Sequence, residues 1–106
     1  MPKYMFRASL TAEGVVGVRK EGGSARRQAV KDATEALGGT LEAFYFAFGD
    51  EDVIVLADFP DNETAAGFAM ETSSSGRVAV STTVLLTPEE VDRAGQKNSG
   101  WRAPGA

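Results

Sequence analysis

The side chains best suited to chemistry are charged residues that interrupt apolar stretches of the sequence. Arg7, Glu42 and Asp58 each lie among apolar neighbours. Charges on a half-buried surface need partners, so we expect Arg7 to pair with Glu42 or Asp58. In one interpretation these residues form a ligand pocket, with a carboxylate as base and Arg7 holding an acidic substrate. In the other they are polar interface residues that fix the register of a dimer.

Two absences limit the chemistry further. The chain contains no histidine and no cysteine. Histidine is the usual acid–base group near neutral pH and the commonest transition-metal ligand, and cysteine thiolates hold iron–sulfur clusters and structural zinc. The residues therefore indicate no cofactor and no metal site. The three adjacent acidic residues 50–52 lack the spacing of a calcium loop, and a solvated turn is the expected structure there.

A second candidate site is an anion site at a glycine-rich turn before a helix. Its residues are Gly23, Ser24, Arg26 and Arg27, with Lys20 nearby. Free N–H groups at the start of a helix, together with guanidinium groups, suit an anion. The alternative is a capped helix whose basic residues are solvated or pair with acidic neighbours.

A third candidate is an aromatic-lined pocket between helices and sheet, formed by Tyr4, Phe6, Tyr45 and Phe68. Ordinary core packing is the alternative explanation for these residues. The idea of a pocket rests on analogy with related folds, because fold alone does not establish function.

Charge and hydropathy restrict the class of partner. The net charge is −4 over 106 residues, which argues against nucleic-acid binding because that function needs a basic surface. No apolar run approaches the ~20 residues of a membrane span. The N-terminal residues show no signal-peptide pattern. We therefore expect a cytoplasmic protein that binds neither nucleic acid nor membrane.

The elements that must position these residues follow from periodicity and turn signals. Period-two alternation predicts four strands: Lys3 to Leu10, Leu41 to Phe48, Asp52 to Phe59 and Val78 to Leu86. Helices are predicted between Thr11 and Gly39, interrupted at Gly22-Gly23, with Ser24 as the second N-cap. A third helix follows Asp61 or Asn62, and a capping box at Thr87 starts a short fourth.

The order β-α-β-β-α-β predicts a ferredoxin-like α+β fold. With right-handed crossovers it forms a four-stranded antiparallel sheet that has its helices on one face. Residues 1–95 form one domain, and residues 96–106 form an extended polar tail. We expect Trp101 in that tail to dock on a partner subunit, and a disordered tail is the alternative.

A homodimer is expected because both faces of the sheet carry apolar residues. Simple alternation places Phe44, Phe46 and Phe48 on the face without helices, and Tyr45 on the other face. Three exposed phenylalanines would form a patch comparable to the largest found on monomers. A second copy packed sheet to sheet would cover it, and a tail folded back over the sheet is the alternative.

Several stretches resemble the GYD-domain family in the same order along the chain. They are residues 20–27, Leu37-Gly38-Gly39, Leu41 to Gly49, and Leu85 to Val91. The family is similar to the dimeric α+β barrel superfamily, which implies two ferredoxin-like sheets packed face to face. The resemblance implies no particular activity. Glu51 stands where the aromatic residue of the eponymous motif would be, between Gly49 and Asp52.

The sequence thus predicts a small homodimeric protein that binds a small molecule or acts as an accessory subunit. The ligand would be a small organic or anionic molecule. The alternative is a cofactor-independent enzyme, an isomerase or oxygenase, acting on a small acidic or aromatic metabolite.

Overall fold

The computed structural model describes residues 1–106 and contains four strands and four helices. In chain order they are β1 (Lys3–Leu10), α1 (Ala12–Glu21), α2 (Gly23–Ala36), β2 (Thr40–Phe46), β3 (Val53–Asp58), α3 (Asn62–Ser74), β4 (Val78–Leu85) and α4 (Pro88–Ala94). None of these helices combines the length and the apolar character needed to cross a bilayer.

The strands form one antiparallel sheet in the order β2-β3-β1-β4. Strand β1 pairs with both β3 and β4, and β2 pairs with β3. Helix α2 packs on β2, and α3 packs on β4. The predicted ferredoxin-like α+β fold is therefore confirmed.

Local sequence signals explain most helix starts. The side chains of Thr11 and Asp61 accept hydrogen bonds from backbone N–H groups in the first turns of α1 and α3. Thr87 and Glu90 form the predicted capping box. Hydrogen bonds from Thr64 lower the pKa of the exposed Asp61 carboxyl. Each cap satisfies a donor that the helix leaves free.

The start of α2 differs from the prediction. Gly22, not Ser24, is its N-cap, and no side chain caps the helix there. Gly22 has a φ of 91°, a backbone conformation that suits glycine and disfavours other residues. This one residue both ends α1 and begins α2, so Ser24 already lies inside the helix.

A β-bulge in β2 overturns the predicted side-chain alternation. The pairing register with β3 shifts between Leu41 and Ala43. The extra residue, Glu42, inverts every side chain that follows it, because side chains alternate strictly along a strand. Phe44 and Phe46 consequently face the helices, where they pack against the core. The predicted patch of phenylalanines on the other face was wrong.

The face of the sheet away from the helices, called the open face below, is mixed in character. The pairing registers place one alternate set of residues there. The set includes Lys3, Met5, Arg7, Ala43, Tyr45, Ile54, Leu56, Asp58 and Leu85, and the bulged Glu42 also projects onto it. Its centre is apolar and its two ends are charged.

The C-terminal segment extends from the sheet. Residues 95–106 contain neither helix nor strand, and the molecule measures 58 × 31 × 22 Å along its principal axes. Trp101 is 76% exposed, and Leu86 and Val91 are also exposed. Within one protomer the tryptophan therefore has no docking site.

Candidate functional site

A cavity of about 370 Å³ lies between the helices and the sheet. Its floor is formed by residues of β1 and β3, including Phe6, Ala8, Val53 and Val55. Residues of α1, α2, α3 and β4 contribute the walls, and 13 of the 21 lining residues are hydrophobic. Well-packed interiors contain few voids larger than a water molecule, so a space of this size is a candidate ligand site.

The cavity exists because the two long helices cover opposite edges of the sheet. Helix α2 lies over β2 while α3 lies over β4, so the central strands are left between them. The floor residues beneath this gap are small, notably Ala8, Val53 and Val55. Small side chains cannot fill the distance to the helices.

An aromatic wall closes the cavity on the side of β2. Phe44 and Phe46 are in edge-to-face contact, with their ring centroids 5.3 Å apart. The Phe46 ring lies directly against Gly23 at the start of α2, where a Cβ atom would be only 2.8 Å from Cε2. Gly23 therefore gives this ring the room that it needs. Phe68 of α3 contacts Phe6 at the other end of the cavity.

Charged residues lie only at the rim. Glu21, Arg26, Glu71 and Arg77 border the cavity. The Arg26 guanidinium donates to the Glu21 carboxylate at 2.9 Å, whereas Arg77 forms no ion pair. The Arg77 backbone is fixed, because its carbonyl oxygen accepts a hydrogen bond of 2.9 Å from the Thr11 N–H. Arg77 is thus a positioned cation beside an apolar space.

This arrangement suits an amphipathic small molecule. Hydrocarbon in the ligand would be removed from water by the lining residues, at about 25 cal/mol per Å² of apolar surface buried. A polar or anionic group of the ligand would stay at the rim, within reach of solvent and of Arg77. Polar side chains at the rim also include Thr72 and Ser75.

The predicted pairing of Arg7 with Glu42 or Asp58 was wrong for the single chain. Lys3 makes both contacts instead, and its Nζ lies 2.8 Å from Asp58 and also donates to Glu42. These bonds raise the pKa of the Lys3 ammonium. Arg7 lies four residues further along β1, about 13 Å away, and its nearest carboxylate is Glu51 at 3.4 Å.

The two tyrosines do not share a pocket. Tyr4 is buried beneath the helices and donates a 2.6 Å hydrogen bond to the Asn62 side chain. Burial raises the pKa of the Tyr4 phenol. Tyr45 lies on the open face and is 68% exposed. Of the predicted aromatic pocket, Phe6 and Phe68 line the cavity and the tyrosines do not.

The residues of the predicted anion site are dispersed around the start of α2. Gly23 packs against Phe46, and Arg26 turns back to Glu21 at the cavity rim. Ser24 and Arg27 are exposed to solvent. Binding of an anion at this turn stays a prediction.

Sequence reasoning missed Arg77, Glu71 and Val80 as residues of the site. They flank the junction of α3 and β4, and no motif marks them. The apolar alternation of β4 identified Val80 as a strand residue but not as a lining residue. Only the spacing between helices, which the sequence does not display, brings these residues to the cavity.

The fold and the cavity together define a class, a ferredoxin-like α+β domain with an apolar space beneath its helices. The family model described as GYD domain matches residues 4–94 of the chain. The chain belongs to the GYD domain family. The resemblance noted in the sequence is confirmed.

A solved structure supports the fold. The crystal structure of MtbAldR (Rv2779c) is similar over 81% of this chain, with a TM-score of 0.61 and 21% sequence identity. The similarity covers 53% of that protein, so this chain spans about half of its length. The similarity supports the ferredoxin-like fold of this chain. A search of the curated proteins finds no match.

Proposed function

We propose that this protein is a homodimeric small-molecule-binding protein, and that its ligand is a small apolar molecule with an anionic group. The observation that carries the proposal is the cavity of about 370 Å³ beneath the helices. Its volume falls within the range of known ligand pockets, about 300–1,000 Å³. The apolar part of the ligand occupies the cavity, and its anionic group pairs with Arg77.

The charge distribution around the cavity supports this choice of ligand. The interior is lined by side chains such as Val30, Phe44 and Val80, which offer a ligand no hydrogen bonds. An isolated charge placed there would lose its hydration without compensation. At the rim, Arg26 is already paired with Glu21, so Arg77 is the guanidinium available for a bidentate contact with a carboxylate or sulfonate.

The fluorescent probe 1-anilinonaphthalene-8-sulfonate (ANS), an aromatic sulfonate, tests this site. We expect saturable binding to the wild type. In the Ala33→Leu variant, added side-chain volume at the cavity wall weakens binding at least tenfold. The matched control is Ala66→Leu on the exposed surface of α3, outside the cavity. Equal affinity of the two variants would refute the cavity as the binding site.

The Arg77→Ala variant separates the anionic contact from the apolar one. We expect weaker binding of ANS, by about tenfold, and an unchanged affinity for the uncharged probe N-phenyl-1-naphthylamine. Loss of both affinities to the same extent would contradict the assigned role of Arg77, because a change in cavity shape affects both probes.

The open face supports a homodimer, but through apolar residues other than the phenylalanines that the sequence predicted. Met5, Ile54 and Leu56 form an apolar centre that helices do not cover. Exposed apolar residues also occur in the projecting C-terminal segment, Trp101 among them. A second copy packed on the open face would remove this surface from water.

Sedimentation equilibrium tests the dimer, and we expect a dimeric mass at micromolar concentration. Trp101 is the single tryptophan of the chain, so its emission provides an independent readout of docking. We expect a shift of the emission maximum to shorter wavelength over the concentration range in which the dimer forms. A monomeric mass at all concentrations would refute this part of the proposal.

The enzyme alternative and the cytoplasmic location stay predictions of the sequence. A cofactor-independent enzyme would use a carboxylate of the cavity rim, Glu21 or Glu71, as its base. Turnover of any ligand identified in the binding experiments, lost on Glu71→Gln or on Glu21→Gln, would favour that alternative over simple binding.

A further inference from the structure

The charged side chains at the two ends of the open face are paired differently. At one end Lys3 is shared between Glu42 and Asp58, so the cluster has a net charge of −1. At the other end Arg7 has only Glu51, and the distance from its Nη1 to that carboxylate is 3.4 Å. One end therefore has a surplus carboxylate, and the other has a weakly paired guanidinium.

Arg7 also carries an unsatisfied donor. Its Nε atom is buried and has no hydrogen-bond partner, although the side chain as a whole is 40% exposed. A buried donor without an acceptor costs about 1–3 kcal/mol, so natural structures rarely retain one. The exposed part of the guanidinium can donate hydrogen bonds to an additional acceptor from outside the chain.

We propose that Arg7 of each protomer pairs with the partner's Glu42 when two open faces meet. This inference rests on the homodimer proposed above and specifies its orientation. If like ends of the two faces met, the two negative clusters would lie against each other. If opposite ends meet, each surplus carboxylate lies near a weakly paired Arg7, which is the favourable arrangement.

The position of the charges allows this pair to form twice. Met5 lies midway between Lys3 and Arg7 on β1, and Leu56 is opposite Met5 on β3. A two-fold axis near these two residues exchanges the ends of the face, so each contact is repeated by symmetry. Packed sheets lie about 10 Å apart, a distance that an arginine and a glutamate extended toward each other can span.

Glu42 is the more accessible of the two carboxylates. Its side chain is 49% exposed, against 26% for Asp58. The bulge in β2 places Glu42 on the open face. In this arrangement the apolar centre supplies most of the affinity, and the charge pairs select the orientation.

Charge reversal tests the pair. We expect Arg7→Glu and Glu42→Arg each to raise the dimer dissociation constant at least tenfold, because each homodimer then contains two like-charge contacts. An equimolar mixture of the two variants forms heterodimers that contain only opposite-charge contacts. The mixture is therefore expected to recover association to within a few-fold of the wild type, measured by sedimentation equilibrium.

The matched controls are Lys31→Glu and Glu35→Arg, which reverse the charges of a solvent-exposed pair on α2. Neither variant should change association. Failure of the mixture to recover association would overturn the proposed pair, since recovery through the partner is unique to it. Unchanged association of both single variants would overturn it too. Both results leave the wild-type dimer intact, whereas a monomeric wild type refutes the dimer itself.

Milder variants keep the test decisive if a charge reversal prevents folding. Arg7→Gln, Glu42→Gln and the double variant form a cycle measured on the dimer dissociation constant. Circular dichroism and thermal unfolding confirm that each variant is folded. We expect the double variant to associate more strongly than the product of the single effects predicts. Strict additivity would overturn the proposal.

Discussion

The two ends of the layer between helices and sheet differ in how completely they are packed. At one end, called the closed end below, Tyr4, Phe59 and Ala65 are each at most 1% exposed. At the other, the cavity end, a similar set of strand residues lines a space of about 370 Å³. The same sheet supports both ends, so the difference arises from the helices above it.

The closed end is tightly packed because the turn between α2 and β2 lies directly against the end of β3. Gly39 lies against the Asp58 carbonyl and the Phe59 ring, and Thr34 of α2 is fully buried. The ring centroids of Tyr4 and Phe59 are 6.1 Å apart. Over the sheet as a whole, α2 packs on β2 and α3 packs on β4, at opposite edges. The closed end therefore stabilises the fold, and the cavity end leaves room for a ligand.

The largest expected effect is a phenylalanine truncation made at each end. Phe59→Ala removes a fully buried ring, and such truncations cost about 3–5 kcal/mol. Phe46→Ala removes a half-buried ring from the cavity wall, so we expect about half that loss. Urea unfolding measures the free energy of unfolding of both variants. Equal losses would mean that the two ends are equally well packed, contrary to the comparison.

A glycine substitution gives the next effect. In Gly39→Ala the new Cβ would lie 2.3 Å from the Asp58 carbonyl oxygen, so the backbone must shift. We expect a loss of about 1–3 kcal/mol, as for other overpacked sites. Gly17→Ala on α1 is the matched control, because nothing lies within 4 Å of its added Cβ. The control should gain up to about 1 kcal/mol from helix propensity.

The smallest effect concerns the hydroxyl of Tyr4 at the closed end. Tyr4→Phe removes the hydrogen bond to Asn62 and should lower the free energy of unfolding by about 1 kcal/mol at neutral pH. Asn62 is exposed, so water can replace the lost partner. A loss of several kcal/mol would show that the hydroxyl has a further role.

The same variant predicts a change in alkaline stability. Burial holds the pKa of Tyr4 above its ordinary value of 10.0, so the unfolded chain loses this proton first. The resulting stability is present below pH 10 and is lost as pH rises toward the folded-state pKa. Urea unfolding between pH 8 and pH 11 should therefore show a steeper decline for the wild type than for Tyr4→Phe. Identical slopes would contradict the pKa shift.

Features that depend on nearby residues could be predicted from the sequence. The cap at Thr11 and the capping box at Thr87 each need only a few adjacent residues, so the sequence displays them directly. The four-stranded antiparallel sheet follows from the element order and the handedness of crossovers. The capping box and this sheet were both confirmed.

Other features depend on residues far apart in the chain. The bulge at Glu42 has no sequence signature, because the residue there is not glycine and the apolar alternation continues on either side of it. The cavity depends on the separation of α2 and α3, and no residue type encodes a distance between helices. The predicted pairing of Arg7 with Asp58 failed because the distance between the two residues depends on the strand register.

The single inserted residue in β2 projects onto the open face alone. Deleting Glu42 would remove the bulge and keep Phe44 paired with Val55 and Phe46 paired with Val53, so both rings would still face the helices. Such a deletion removes a carboxylate from the open face and leaves the aromatic wall of the cavity in place. A deletion of Tyr45 would instead turn Phe46 outward, because it reverses the alternation of every side chain beyond it.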